Sequence, residues 1–233
     1  MSVDLVSGLQ WYLVFLYSTT LHEAAHAWAA LKLGDDTAYQ GGQVTLDPTP
    51  HIRREPIGMV VVPLLSFLFG GWMIGWASTP YDPAWAMRYP RRSAWMSLAG
   101  PAANLLMVVV AGLAIRVGML AGVFEAPSRI SSMHITLAAD GSLMEFLAIM
   151  LSIVFSLNLL LCIFNLLPLP PMDGSSAVRL VLPESAAEKY FAVARQPGFG
   201  LLGLMMAWQL FGVIYPPIQT AAVNLLYPGA GYH

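Results

Sequence analysis

The sequence predicts an all-α polytopic membrane protein, with four to six transmembrane helices and a short β-strand or re-entrant region after the first. Three observations carry that prediction. Of 233 residues, 57% are hydrophobic and only 10% are charged, where a soluble domain carries about 25% charged residues. The apolar residues gather into five stretches, at about 9–33, 56–77, 94–123, 143–167 and 199–227, each near or above the ~20 residues that cross a hydrocarbon core. No repeat, low-complexity tract or long linker divides the chain. Residues 1–233 therefore read as a single membrane domain, with a core over 9–180 and a C-terminal membrane segment at about 199–227.

The first stretch follows "MSVDLVSGLQ", which lacks a basic region, and no small-residue cleavage site interrupts it, so it reads as a retained span. Residues 39–47, "YQGGQVTLD", hold a β-prone run, Gln43 to Leu46, behind Gly41-Gly42. This is either an edge for strand addition or an ordinary loop, since so short a strand is marginal alone. The second stretch contains Pro63, Gly70-Gly71 and Gly75, which suit a broken segment that enters and leaves on one side. The third and fourth read as unbroken spans. The last holds Pro216-Pro217, so one kinked span or two shorter elements are expected rather than a straight helix. Trp and Tyr near the stretch ends suit interfacial anchoring.

Two histidines and a glutamate sit inside the first stretch, in "LHEAAHAWAA". An ionisable residue near the bilayer centre costs roughly 2.5–3.5 kcal/mol and marks function by default. His22 and His26 are four apart, so on a helix they share one face and can reach one metal ion, with Glu23 beside them. In this HExxH pattern two imidazoles bind Zn2+ and the glutamate is the general base for water. A catalytic zinc usually takes a third protein ligand. With Cys162 the only cysteine, neither an intramolecular disulfide nor a thiolate cluster can be built. The fourth stretch closes on "NLLPLPPMDG", where Pro168, Pro170 and Pro171 break the helix ahead of Asp173. Alone, Asp173 would read as a turn or N-cap residue; beside a motif one ligand short, it is the candidate third ligand. A net charge of −2 gives no footprint for nucleic acid. His51 and His134 fall in expected loops without ligand spacing and read as solvent-facing, and His233 is expected to fray.

These segments resemble the site-2 protease family, peptidase family M50, whose two signatures appear as His22-Glu23-Ala24-Ala25-His26 and as Asn165, Pro168, Pro171, Asp173 and Gly174. "SLAGPAANLL" looks like the family's Gly-Pro-x-x-Asn segment through Gly100, Pro101 and Asn104, and "GGQVTLDPTPHIRREPIG" like the strand region after its first motif. The resemblance implies one Zn2+ per chain on His22, His26 and Asp173, with Glu23 as catalytic base. It also marks Asn104 and Asn165, either as donors to a substrate carbonyl or oxyanion or as helix-bridging amides. It further implies hydrolysis of peptide bonds within or next to the transmembrane segments of membrane protein substrates. The chain departs from the pattern in lacking the PDZ or CBS segments of larger relatives and a second glycine after Asp173-Gly174. A metal transporter or sensor, or an inactive membrane scaffold, would use the same elements without hydrolysis.

Ligand depth and charge agree on the threading. Five full crossings would place Asp173 on the opposite side from His22 and His26. If 56–77 is re-entrant, Lys32, Arg53, Arg54, Arg88, Arg91, Arg92, Arg179, Lys189 and Arg195 share one side, leaving only Arg116 and Arg129 elsewhere. Because cytoplasmic loops collect Lys and Arg, the expected site lies nearer the cytoplasmic face, in a prokaryotic inner membrane.

Overall fold

The computed structural model describes residues 5–232; residues 1–4 and His233, expected to fray, lie outside them. Helix α1 (Leu5–Leu33) runs through the first apolar stretch. Its buried stripe of Trp11, Phe15, Ser18, His22, His26 and Ala29 advances by three or four residues, the step that keeps side chains on one helix face. Two short helices follow, α2 (Thr37–Gln40) and α3 (Pro48–Arg54). Asp47 caps α3 by accepting from the Thr49 N–H at 2.9 Å, and Pro48 takes the first turn, where a missing N–H costs nothing.

Of the two readings of Gln43–Leu46, the structure has the ordinary loop: the chain bends there and forms no strand. Among the described residues no neighbouring strand offers a ladder, and backbone groups here bond locally. The Gln43 N–H donates to Ala38 O at 2.9 Å, and Thr45 O accepts from His51.

Residues 57–82 build the re-entrant segment. A π-helical turn (Ile57–Val61) leads into α4 (Val62–Gly70), and the chain reverses at Gly71, whose φ of 73° suits a residue without Cβ. It then returns without regular structure through residue 82. The Trp76 N–H donates to Gly58 O at 3.2 Å. A methyl on Gly58 would overlap the Trp76 carbonyl and one on Gly75 the Gly58 carbonyl, so the two arms meet backbone to backbone. After α5 (Pro83–Arg88), helix α6 (Pro90–Leu120) begins where α1 ended: Arg92 Nη1 donates to Leu33 O at 3.1 Å. The intervening chain thus enters and leaves at one end of the bundle.

Helix α6 leads away to a connection holding β1 (Phe124–Glu125) and β2 (Leu137–Ala138), paired antiparallel with Phe124 opposite Ala138. Helix α7 (Ser142–Asn165) returns to the first end, where α8 (Asp173–Ala177), a 3-10 turn (Val178–Leu180) and α9 (Glu184–Ala194) lie. Helix α10 (Phe199–Leu226) leads away again as one helix straight through Pro216-Pro217. Each proline denies a donor to the carbonyl four residues back, Gly212 and Val213. In an apolar surrounding a broken helix would leave more amides unpaired, so continuing costs less.

By length and composition α6, α7 and α10 can cross a membrane, and the protein is an integral membrane protein. Helix α1 has 29 residues, about 43 Å at 1.5 Å per residue, but carries the polar motif. One core joins Trp11, Phe15, Met73, Ile153 and Leu157; another joins Val108, Ala111, Ile115, Phe155, Leu159, Val223 and Leu226. Close packing rather than water exclusion holds helices together in lipid, so small residues sit at crossings. A methyl on Gly112 would lie 3.1 Å from Leu226 Cδ2. Helix α10 is peripheral, with Leu201, Met205, Trp208, Val213 and Leu225 exposed.

Candidate active site

The bundle brings His22, His26 and Asp173 together. The imidazoles lie one turn apart on α1, and the prolines ahead of Asp173 end α7 so that the chain folds back under it. Gly174 permits that fold, because a methyl there would overlap the Leu166 and Leu167 carbonyls. His22 Nε2 and His26 Nε2 are 3.0 Å apart, and each is 3.2 or 3.3 Å from Asp173 Oδ2. Ligands bound tetrahedrally at about 2.0–2.1 Å are separated by about 3.3 Å.

The proton positions explain why these atoms need a cation. His26 Nδ1 donates to the Met96 carbonyl at 2.8 Å, and His22 Nδ1 to the Asn104 amide oxygen at 2.5 Å. In neutral imidazoles both Nε2 atoms then present lone pairs, and Asp173 Oδ2, buried and without a hydrogen bond, presents another. Three lone pairs converge on one point. Gly100 of α6 keeps that point clear, since a methyl there would press on both Nε2 atoms. Two imidazoles and one carboxylate suit zinc.

Glu23 is buried beside this set. Thr79, on the returning arm of the hairpin, places its hydroxyl 2.7 Å from Glu23 Oε2 and 2.9 Å from Glu23 O. Ser78 Oγ donates to Glu55 Oε1 at 2.5 Å, and the Asp82 N–H to Asp35 Oδ2 at 2.9 Å, so the same arm is tied on both sides of Thr79. Burial pushes the Asp35 carboxyl up, but the Thr37 hydroxyl and N–H with the Asp82 N–H hold it below the usual carboxylate range. Nothing local in the sequence marks Thr79; only the hairpin brings it to Glu23.

The other expected site residues fall differently. Asn104 is fully buried, with its oxygen on His22 and its nitrogen on Asn158 Oδ1 at 2.8 Å, so its amide bridges helices. Asn165 is not brought to the ligands by any contact of its amide, which donates to Leu161 O in its own helix at 3.0 Å. His51, expected to face solvent, is instead 1% exposed: it lies in α3, not a loop, and that helix turns it inward to donate from Nε2 to Thr45 O at 3.2 Å. His134 is exposed, as expected.

Membrane-length helices thus surround a His-His-Asp set that could hold a metal ion, its two imidazoles buried and the buried carboxylate of Glu23 beside it. The model of peptidase family M50 matches residues 10–206. YwhC of Bacillus subtilis (strain 168), named as a candidate zinc metalloprotease, is 33% identical over 213 residues, covering 90% of this chain and 86% of its own length. Rip2 of Mycobacterium tuberculosis (strain ATCC 35801 / TMC 107 / Erdman), named in the same way, is 30% identical over 93% of this chain and 76% of its own. The chain belongs to peptidase family M50. No solved structure gives a significant match.

Proposed function

We propose that this protein is an intramembrane zinc endopeptidase that hydrolyses peptide bonds within or next to transmembrane segments of other membrane proteins. The observation that carries the reading is the convergence of three lone pairs, from His22, His26 and Asp173, beside a buried carboxylate held in place. His22, His26 and Asp173 would hold one zinc ion, which would supply Lewis-acid chemistry to the scissile carbonyl and to water. Glu23 takes the proton from the attacking water and returns it to the leaving amine. Thr79 keeps that carboxylate oriented.

A transmembrane helix hides its amides in internal hydrogen bonds, so the substrate must unwind locally before it is cut. The irregular arm 72–82 runs beside Glu23, where an unwound segment would lie. A cleft of about 600 Å³ lined by Tyr81, Met87, Ser175, Arg179 and Arg195 lies at this end of the bundle, against the α8 that begins with Asp173, and would be a route for water toward it. Nine of the eleven Lys and Arg residues lie in segments at this end of the bundle, which supports a cytoplasmic-side site in a prokaryotic inner membrane.

The test is cleavage of a single-span substrate by detergent-purified protein, with bound zinc measured. Glu23→Gln is expected to keep zinc and lose at least about 100-fold in rate, as removal of a general base does. Asp173→Ala is expected to lose both zinc and cleavage. Wild-type protein that holds zinc but cuts none of several substrates would turn the assignment toward metal transport or sensing.

A further inference from the structure

The polar contacts behind His22 continue across two helices, and their direction is determined at every step. We infer that Asn158 of α7 is a positioning residue for the metal site: it decides which end of the Asn104 amide faces His22, and so which imidazole nitrogen is free for metal. The inference rests on the zinc reading above and extends that site to a helix carrying none of the ligands.

The chain starts at a group with no choice. The Val154 carbonyl can only accept, and the Asn158 amide lies 2.8 Å from it, so that end of the amide is the NH2. Its second N–H reaches Ser18 Oγ at 2.9 Å. The Asn158 oxygen is thereby turned toward Asn104 and accepts at 2.8 Å, which requires Asn104 to present its own NH2 there. The Asn104 oxygen then faces His22, whose Nδ1 must carry the proton. Nε2 is left bare, aimed at His26 and Asp173. Turning either amide around would set N–H against N–H or oxygen against oxygen where no water can intervene: Asn104 and Asn158 are 0% exposed and Ser18 is 1% exposed. His26 needs no such relay, because the Met96 backbone sets its tautomer directly. One ligand depends on a side chain in α7 and the other does not.

The experiment measures zinc affinity by chelator competition on the purified full chain. Asn158→Leu is expected to bind zinc about 10- to 100-fold more weakly, the usual loss when an outer partner of a metal-ligating histidine is removed. In an Asn104→Leu background the same change is expected to add nothing, because Asn104 transmits the effect. Ser152→Ala is the control for a merely structural loss: this equally buried hydroxyl of α7 accepts from the Ile135 and Thr136 N–H groups, away from the ladder. It is expected to lower Tm and leave zinc affinity unchanged. Should Asn158→Leu fail to fold, 15N-histidine spectra of zinc-loaded wild type read the tautomer directly, with a protonated Nδ1 expected on His22 and a protonated Nε2 overturning the relay. Equal zinc affinity in wild type and Asn158→Leu, or additive losses in the double variant, would overturn the relay alone. Wild type without zinc would overturn the zinc reading, and the relay with it.

Discussion

Gly100 and Thr79 show how single residues outside the ligand set shape the site. A methyl at position 100 would occupy the space between the two Nε2 atoms, so Gly100→Ala is expected to cut bound zinc at least about tenfold, comparable to losing an outer ligand partner, as metal analysis of the folded protein would show. Thr79→Val removes the hydroxyl on Glu23 while keeping the shape. It is expected to lower kcat on the order of tenfold, well short of losing the base itself, with zinc content and KM unchanged and with Thr79→Ser restoring the rate. A drop in zinc would show that Thr79 supports the fold rather than the base. His22, Glu23, His26 and Asp173 could be read from the sequence because ligand spacing on a helix and a proline break before a carboxylate are local patterns. The contacts of Gly100, Thr79 and Asn158 could not, since each meets residues of a different element. His51 was legible only as a loop residue, as its burial follows from α3 docking beneath α1.

The hairpin of residues 57–82 carries Thr79, whose hydroxyl meets the Glu23 carboxylate. Its glycines were legible as a break in an apolar stretch, and so was its re-entrant course. Which backbone atoms they bring together was not, because that needs both arms at once. Gly75→Ala pushes a methyl into the Gly58 carbonyl; overpacking of this kind costs about 1–3 kcal/mol. It is expected to expose residues 72–82 to limited proteolysis and slow substrate cleavage while zinc stays bound. Acid is expected to loosen the same arm through Asp35. Its folded-state pKa lies below the ordinary carboxylate value of about 3.9, so the tie to Asp82 is complete above that pH and is lost as pH falls through the lower folded value. Protease sensitivity of the arm should rise over that window in the wild type and show no such step in Asp35→Asn. The β-prone run at Gln43–Leu46 could be read either way for a related reason: propensity needs a partner strand, and among the described residues the sheet pairs only β1 with β2.

At the scale of the whole molecule, α1, α6, α7 and α10 alternate in direction, and the site lies at the end shared by the hairpin, α8 and α9. Apolar length and the clustering of Lys and Arg anticipated this course; the continuity of α10 through its proline pair depends on surroundings that periodicity does not express. Single cysteines placed at exposed Met87 and Ser132, in a Cys162→Ala background, are expected to label from opposite faces, Met87→Cys from the cytoplasmic one. Labelling of both from one face would remove the threading described here. The site's donors are also far apart in the order of synthesis: Glu23 and both imidazoles are made before α6 and α7, and Asp173 after them. At about 5–20 residues per second, that separates the first donors from the last by on the order of ten seconds. Throughout that interval the emerging chain holds Glu23 and two imidazoles but lacks Asp173, the third member of the His-His-Asp set. The linear order of the chain thus separates the donors in time, and the His-His-Asp set can close only once α8 has followed α6 and α7.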